Sequence, residues 1–214
     1  MRRGVLVWLQ EPQVSSQALR EAGGAGVDAV LLRLPGASAQ AMRDGALRAR
    51  EAGLPAIVSD RLDVALALQA PCQLRHDSLP SDLARRVAPR LALGASVHDE
   101  DGALRAAAAG VDYLVFGHVF PTASKAGLPA RGVEALRAIV QASGLPVLAI
   151  GGITARNAAE ALAAGAVGVV VRSGIGQATA AEDARSLRRA LDAGPAASAL
   201  LERNLREVLA CASA

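Results

Sequence analysis

Three stretches of this chain bring together residue types that can do chemistry. Phe116-Gly117-His118-Val119-Phe120-Pro121-Thr122-Ala123-Ser124-Lys125 holds an imidazole, two hydroxyls and an ammonium. An unperturbed histidine titrates near ~6.5, so His118 can take up and return a proton at neutral pH. Thr122 and Ser124 offer hydrogen bonds, and Lys125 offers a compact positive charge. Gly151-Gly152-Ile153-Thr154 and Arg172-Ser173-Gly174-Ile175 are of another kind. Glycines let backbone N–H groups approach an anion, and a following helix start adds partial positive charge. Arg172 adds a forked donor. Gly151, Gly152, Arg172, Ser173 and Gly174 therefore read as a phosphate site. The bland alternatives are a satisfied core histidine, a solvated lysine and plain tight turns. Position in the fold has to separate the two sets.

Other polar residues end apolar runs: Arg33, Ser59-Asp60-Arg61, Arg75-His76-Asp77-Ser78 and Ser96-Val97-His98. Asp60 and Asp77 are two carboxylates that can share Mg2+, a cation that takes oxygen ligands. Asp60 reads more readily as the N-cap of a following helix. His98 reads as a helix-start residue. His76 and Asp77 are adjacent in sequence, which does not make them face each other. Cys72 and Cys211 are far apart, without metal-ligand spacing, so neither a disulfide framework nor zinc is expected.

The elements that must position these residues alternate strictly. Short apolar runs predict strands at 5–9, 29–32, 56–58, 72–74, 91–95, 113–116, 147–150 and 167–171. Alanine-rich stretches predict helices at 15–22, 38–52, 61–68, 81–87, 99–109, 132–142, 155–163 and 180–191, with an extra helix at 196–209 after Gly194-Pro195. Glycines at helix-to-strand junctions suit the left-handed residue that ends a helix. Eight strand–helix units predict a closed parallel (β/α)8 TIM barrel of the α/β class, one domain over 1–214 with an extra C-terminal helix. An open doubly wound sheet is disfavoured, because no GxGxxG follows the first strand. In such barrels the site lies at the C-terminal strand ends, with phosphate held by the loops after strands 7 and 8. His118 then falls on the catalytic rim, after strand 6.

Composition narrows the partners. The 214 residues are 52% hydrophobic, which excludes a disordered chain. No apolar run reaches the ~20 residues of a membrane span. The N-terminal apolar stretch is too short for a signal peptide, so a cytoplasmic location is expected. The net charge is +3 and the pI about 9.5, yet arginines and carboxylates intermingle without a basic block. Stacking aromatics are absent, so neither nucleic acid nor membrane is an expected partner. Among 23 Lys and Arg residues, Lys125 is the single lysine, and it falls beside His118.

Read together, Ser59-Asp60-Arg61-Leu62-Asp63-Val64-Ala65-Leu66, Gly94-Ala95-Ser96-Val97-His98, the 116–125 segment and Ala149-Ile150-Gly151-Gly152-Ile153 resemble the thiamine phosphate synthase/TenI superfamily. The resemblance runs from about residue 27 to 191. It implies one of two activities. Thiamine phosphate synthases couple a pyrimidine diphosphate to thiazole phosphate with Mg2+. TenI-type thiazole tautomerases are isomerases that move a proton on a thiazole carboxylate phosphate and use no cofactor. Synthases usually carry Gln-x-Arg-x-Lys after strand 2, Asn-Asp after strand 3 and Gly-Gln-x-Asp after strand 4. Here Arg33 stays, Pro35 takes the lysine position, Ser59-Asp60 stands for Asn-Asp, and Ser78 takes the last acidic position. Gly117-His118-Val119-Phe120 and Lys125-Ala126-Gly127-Leu128-Pro129 resemble TenI. The expectation is therefore a thiazole tautomerase of thiamine biosynthesis, with His118 as acid/base. Arg33, Ser96, Thr122, Ser124 and Lys125 would contact substrate. The synthase is the first alternative, with Mg2+ on Asp60 and Asp77. A non-catalytic protein that binds thiazole phosphate and regulates is the second. The resemblance further implies a small phosphorylated thiazole as partner and a homo-oligomer, a dimer.

Overall fold

A computed structural model describes residues 2–210; Cys211 lies outside the described residues. Eight strands run in order: β1 Val5–Gln10, β2 Ala29–Leu32, β3 Ala56–Ser59, β4 Cys72–Leu74, β5 Leu93–Val97, β6 Tyr113–Gly117, β7 Val147–Ile150 and β8 Gly168–Val171. Every neighbouring pair is parallel, and Val5 of β1 pairs with Gly168 of β8, which closes the barrel. Eight helices alternate with them: α1 Ser16–Gly24, α2 Ala39–Glu51, α3 Leu62–Leu68, α4 Ser81–Val87, α5 Glu100–Ala108, α6 Gly132–Ser143, α7 Ala158–Ala163 and α8 Ala180–Ala193. A last helix, α9, spans Ala199–Ala210. This is the expected TIM barrel with its additional helix.

Strand alternation builds two cores. Val5, Val7, Leu9, Ala29, Leu31, Ile57, Tyr113, Val115, Leu148 and Val170 fill the barrel interior. Leu6, Trp8, Val30, Leu32, Leu114 and Phe116 face outward under the helices. The strands are apolar on both faces for this reason. Gly94 of β5 makes room inside: a Cβ there would meet the ring of Tyr113 and Oε1 of Gln73. Burial pushes the Tyr113 phenol pKa upward. Burial also raises the Cys72 thiol to about 12, so it is uncharged at neutral pH.

Several boundaries differ from the expectation, α9 among them with a start at Ala199 rather than 196, and two of the shifts have a visible cause. β5 covers Leu93–Val97 rather than 91–95, which places Ser96 inside a strand. Apolar Leu91 favoured the earlier start, whereas the register pairs Ser96 with Val115 and Val97 with Phe116. α7 starts at Ala158 rather than 155, because Thr154 N–H donates to Asn157 Oδ1 at 2.8 Å and forms a turn first.

α9 closes the N-terminal mouth. Leu205 and Leu209 are buried within the interior cluster. Arg206 donates to Asp28 Oδ1 at 2.8 Å and to the Gly4 carbonyl at 3.0 Å. Arg188 of α8 donates to the same carbonyl at 3.0 Å, and its NH1 lies 3.5 Å from Asp28 Oδ2. Burial alone would lower the Arg206 pKa; the Asp28 and Glu202 carboxylates reverse that and raise it. Among the described residues no helix is long and apolar enough to cross a membrane.

Candidate active site

The opposite, C-terminal end carries the polar residues singled out in the sequence. β6 ends at Gly117, and a cis peptide joins it to His118. Val119 N–H donates to the Ile150 carbonyl at 2.9 Å and Phe120 N–H to the Gly151 carbonyl at 3.0 Å. The segment after β6 is thereby laid against the segment after β7. His118 and Val119 carbonyls accept from Arg131 and Gly132 N–H, both at 3.0 Å, so residues 118–132 form a loop tied at its base. His118 is half-buried, and its Nε2 has no hydrogen-bond partner among the described residues. Such a buried nitrogen costs free energy until something meets it. At the far end of the loop, Ser124 and Lys125 are exposed on a short 3-10 turn, and Thr122 Oγ1 lies 3.2 Å from Ser124 Oγ.

The two glycine stretches meet. A Cβ on Gly174 would sit 3.0 Å from the Ile153 carbonyl oxygen. Gly151 has φ +96 and Gly152 φ +67, where side chains are disfavoured. A Cβ on Gly151 would collide with Cβ and Cα of His118; one on Gly152 would collide with the Phe120 and Pro121 carbonyls. The N–H groups of Gly151, Gly152, Ser173 and Gly174 donate to no backbone carbonyl among the described residues. Four such donors in two touching loops suit a phosphate. Arg172 leans away toward the β1 exit, with NH2 3.8 Å from Glu11 Oε1.

Three residues not read as functional hold these loops. Asn157 donates to the Gly152 carbonyl at 2.9 Å while its Oδ1 accepts from Thr154. Trp8 Nε1, fully buried, donates to the Ile175 carbonyl at 3.0 Å. Asp183 Oδ2 accepts from Gly176 N–H at 3.0 Å. Asn157 was findable, since an Asx residue three after Thr154 at a helix start is a turn signal. Trp8 and Asp183 carried no local signal.

Across the mouth, Gln73 Nε2 donates to Ser96 Oγ at 3.1 Å inside the barrel. Arg33 follows β2, and its side chain has no ion-pair partner among the described residues. Asp60 is not a helix N-cap. Its φ is +63, and its Oδ1 accepts from Ser78 Oγ and from Arg75 N–H at 3.2 Å. The carboxylate thus turns to the loop after β4, not to α3, whose first residue has no side-chain cap. Arg75 Nε sits 2.5 Å from Asp60 Oδ2, off the N–H line, so the contact is an ion pair. Its NH2 reaches Asp77 Oδ2 at 3.0 Å. Among the described residues no group of three or more His, Cys, Asp or Glu is arranged to hold a metal.

His98 does not start α5; Asp99 caps it, accepting from Gly102 N–H at 2.7 Å. His98 Nδ1 donates to the Gly117 carbonyl at 2.9 Å, which leaves Nε2 as the lone-pair nitrogen. Its own carbonyl accepts from Arg131 at 2.8 Å, and its ring lies 5.5 Å from that of His76. Burial lowers the His98 pKa; the Gly117 bond opposes this, and the Arg131, His76 and Lys125 charges add to it. The unfolded chain therefore binds this proton first, and folding stability falls as pH drops below about 6.5. An NMR titration should place the His98 midpoint below 6.5; a midpoint above it would contradict the burial argument.

The thiamine monophosphate synthase family model matches residues 9–175. A thiamine-phosphate synthase of Pyrococcus horikoshii is 39% identical over 170 residues, 77% of this chain and 81% of that protein. One from Chloroflexus aurantiacus is 42% identical over 177 residues, 80% of each chain. The solved thiamine phosphate pyrophosphorylase from Pyrococcus furiosus superposes with a TM-score of 0.77 at 34% identity, over 87% of this chain and 95% of that one. These relatives overturn the expectation of a thiazole tautomerase. A histidine after β6 and a TenI-like loop weighed toward isomerase, but likeness along most of the chain runs to synthases. The fold, the paired glycine loops and the matched span together place this chain in the thiamine monophosphate synthase family.

Proposed function

We propose that the protein is a transferase of thiamine biosynthesis that forms thiamine phosphate from a pyrimidine-methyl diphosphate and a thiazole phosphate. The observation that carries the reading is the 39–42% identity to named synthases over about four-fifths of the chain. The geometry supports it with a phosphate cradle at Gly151, Gly152, Ser173 and Gly174. The cradle would hold the thiazole phosphate by its phosphate end and aim the ring into the mouth, an orientation effect.

The chemistry then needs no acid or base. The thiazole ring nitrogen forms a bond to the pyrimidine methylene carbon with its lone pair. The C–O bond to the diphosphate breaks, and pyrophosphate leaves with that electron pair. No proton moves, which is why an acid/base role for His118 lapses. His118 Nε2 instead offers one hydrogen bond to a bound substrate. Arg33 and Lys125 bring positive charge for the leaving diphosphate, with Ser96, Thr122 and Ser124 as hydroxyl donors. The resemblance to synthases brings Mg2+ with it. Asp60 and Asp77, its expected ligands, are both engaged by Arg75, so these carboxylates do not fit the ion and no step runs through it.

The test is incubation of the purified protein with both substrates, with and without Mg2+, following thiamine phosphate by chromatography. Product under either condition supports the reading; none under both overturns it. His118→Asn should keep kcat within about tenfold, with the change in KM. An acid/base role would instead cost kcat about 10²–10⁴-fold.

A further inference from the structure

We propose that Arg75 is a built-in counter-ion standing where the Asp60–Asp77 pair would otherwise take a divalent cation. Both carboxylates converge on this one guanidinium, through Nε at 2.5 Å and NH2 at 3.0 Å. The remaining capacity of Asp60 is also spent. Its Oδ1 accepts from Ser78 Oγ and Arg75 N–H, and Ser59 Oγ lies 3.4 Å from Oδ2. Asp77 Oδ1 faces the His76 ring at 3.7 Å. A hard cation needs unshared carboxylate oxygens, and both oxygens of Asp60 already have partners.

The arrangement is consistent in its parts. Ser78, the last residue of the Arg75-His76-Asp77-Ser78 run, is a donor to Asp60, whereas an acidic residue there would repel it. Arg75 and Asp60 are each about one-quarter exposed, so the pair is screened less than a surface ion pair. The left-handed backbone at Asp60 aims its carboxylate into this contact. A guanidinium stays charged at any working pH. The rim between β3 and β4 therefore carries a fixed organic cation, and Arg75 is a positioning residue that holds Asp60 and Asp77 in place.

The inference deepens the synthase reading and rests on it for its meaning in turnover. Its test uses Mn2+ alone, without substrates, so either claim can fail while the other stands. Loss of the free Mn2+ electron-paramagnetic-resonance signal is titrated against protein. The wild type should show no saturable binding up to about 1 mM. Arg75→Gln should bind one Mn2+ at least about tenfold more tightly, and adding Asp60→Asn to it should remove that gain. One Mn2+ bound by the wild type and lost in Asp60→Asn overturns the proposal. So does an Arg75→Gln protein, folded by circular dichroism, that gains no affinity. If Arg75→Gln does not fold, the wild type decides alone. Its Tm should be unmoved by Mg2+, and a rise that Asp60→Asn abolishes refutes the inference.

Discussion

Gly151→Ala is expected to lower kcat/KM for the thiazole phosphate by about 10²-fold or more, because a misplacement near 1 Å suffices for that loss. The added methyl would overlap Cβ and Cα of His118. His118 cannot retreat easily. It follows Gly117 directly, its carbonyl is bound by Arg131 N–H, and the next residue is bound to Ile150. Gly117 is itself against Ile150, where a Cβ would meet the Ile150 carbonyl. The strain is therefore relieved by moving the Gly151-Gly152 loop, whose N–H groups are the proposed phosphate donors. The control is Gly127→Ala. Gly127 also has positive φ, at +80, but its Cβ position is empty within 4 Å. That change costs only backbone strain, about 1 kcal/mol. Measured on folded proteins, kcat/KM should fall for the first and hold for the second. Wild-type kcat/KM in Gly151→Ala would remove the loop from phosphate binding.

The largest stability effect is expected at the other mouth. Asp28→Ala should cost about 3–5 kcal/mol, the range for breaking a buried ion pair from one side. Asp28 has 10% side-chain exposure and serves three arginines, Arg2, Arg188 and Arg206. Its Oδ2 also accepts Leu6 N–H of β1 at 2.8 Å. Arg188 has 8% side-chain exposure and keeps Asp192 at 2.9 Å, so part of its charge stays matched. Arg206 keeps Glu202 at 2.9 Å, within α9 itself. What is lost is the tie between α9, α8 and the first strand. Urea unfolding should show the drop in midpoint, and added protease should cut α9 first. A loss under about 1 kcal/mol would mean that the ion network contributes no more than an exposed pair.

How far the sequence reached can be read from particular residues. The barrel was legible because each strand–helix unit carries its own signals, a continuous apolar run and a periodic helix, and five of the helix-to-strand junctions add a glycine. Once eight units are counted, closure and handedness follow from general packing, so the rim positions of His118, Gly151, Gly152, Ser173 and Gly174 follow too. The start of β5 was misjudged, since Leu91 is apolar outside the strand as well as in it. Ser96 belongs to the strand only through its pairing with β6.

Other properties depended on contacts that chain order does not encode. Trp8 and Ile175 bond across 167 positions. Arg188 binds the Gly4 carbonyl across 184. Asp60 looked like a helix cap because it precedes a helix; a left-handed backbone turned it to Arg75 and Ser78 instead. The TenI-like histidine was weighed by its identity, whereas its use depends on what reacts beside it. By itself, then, the sequence determined the fold, the family and the end of the barrel at which the candidate site residues gather. Only the tertiary structure decided that α9 closes the opposite mouth, that Asp60 and Asp77 share one arginine, and that the loop after β7 touches the loop after β8. Local periodicity sets which elements form; the pairing of charges and orphan donors is set only when distant strands close the ring.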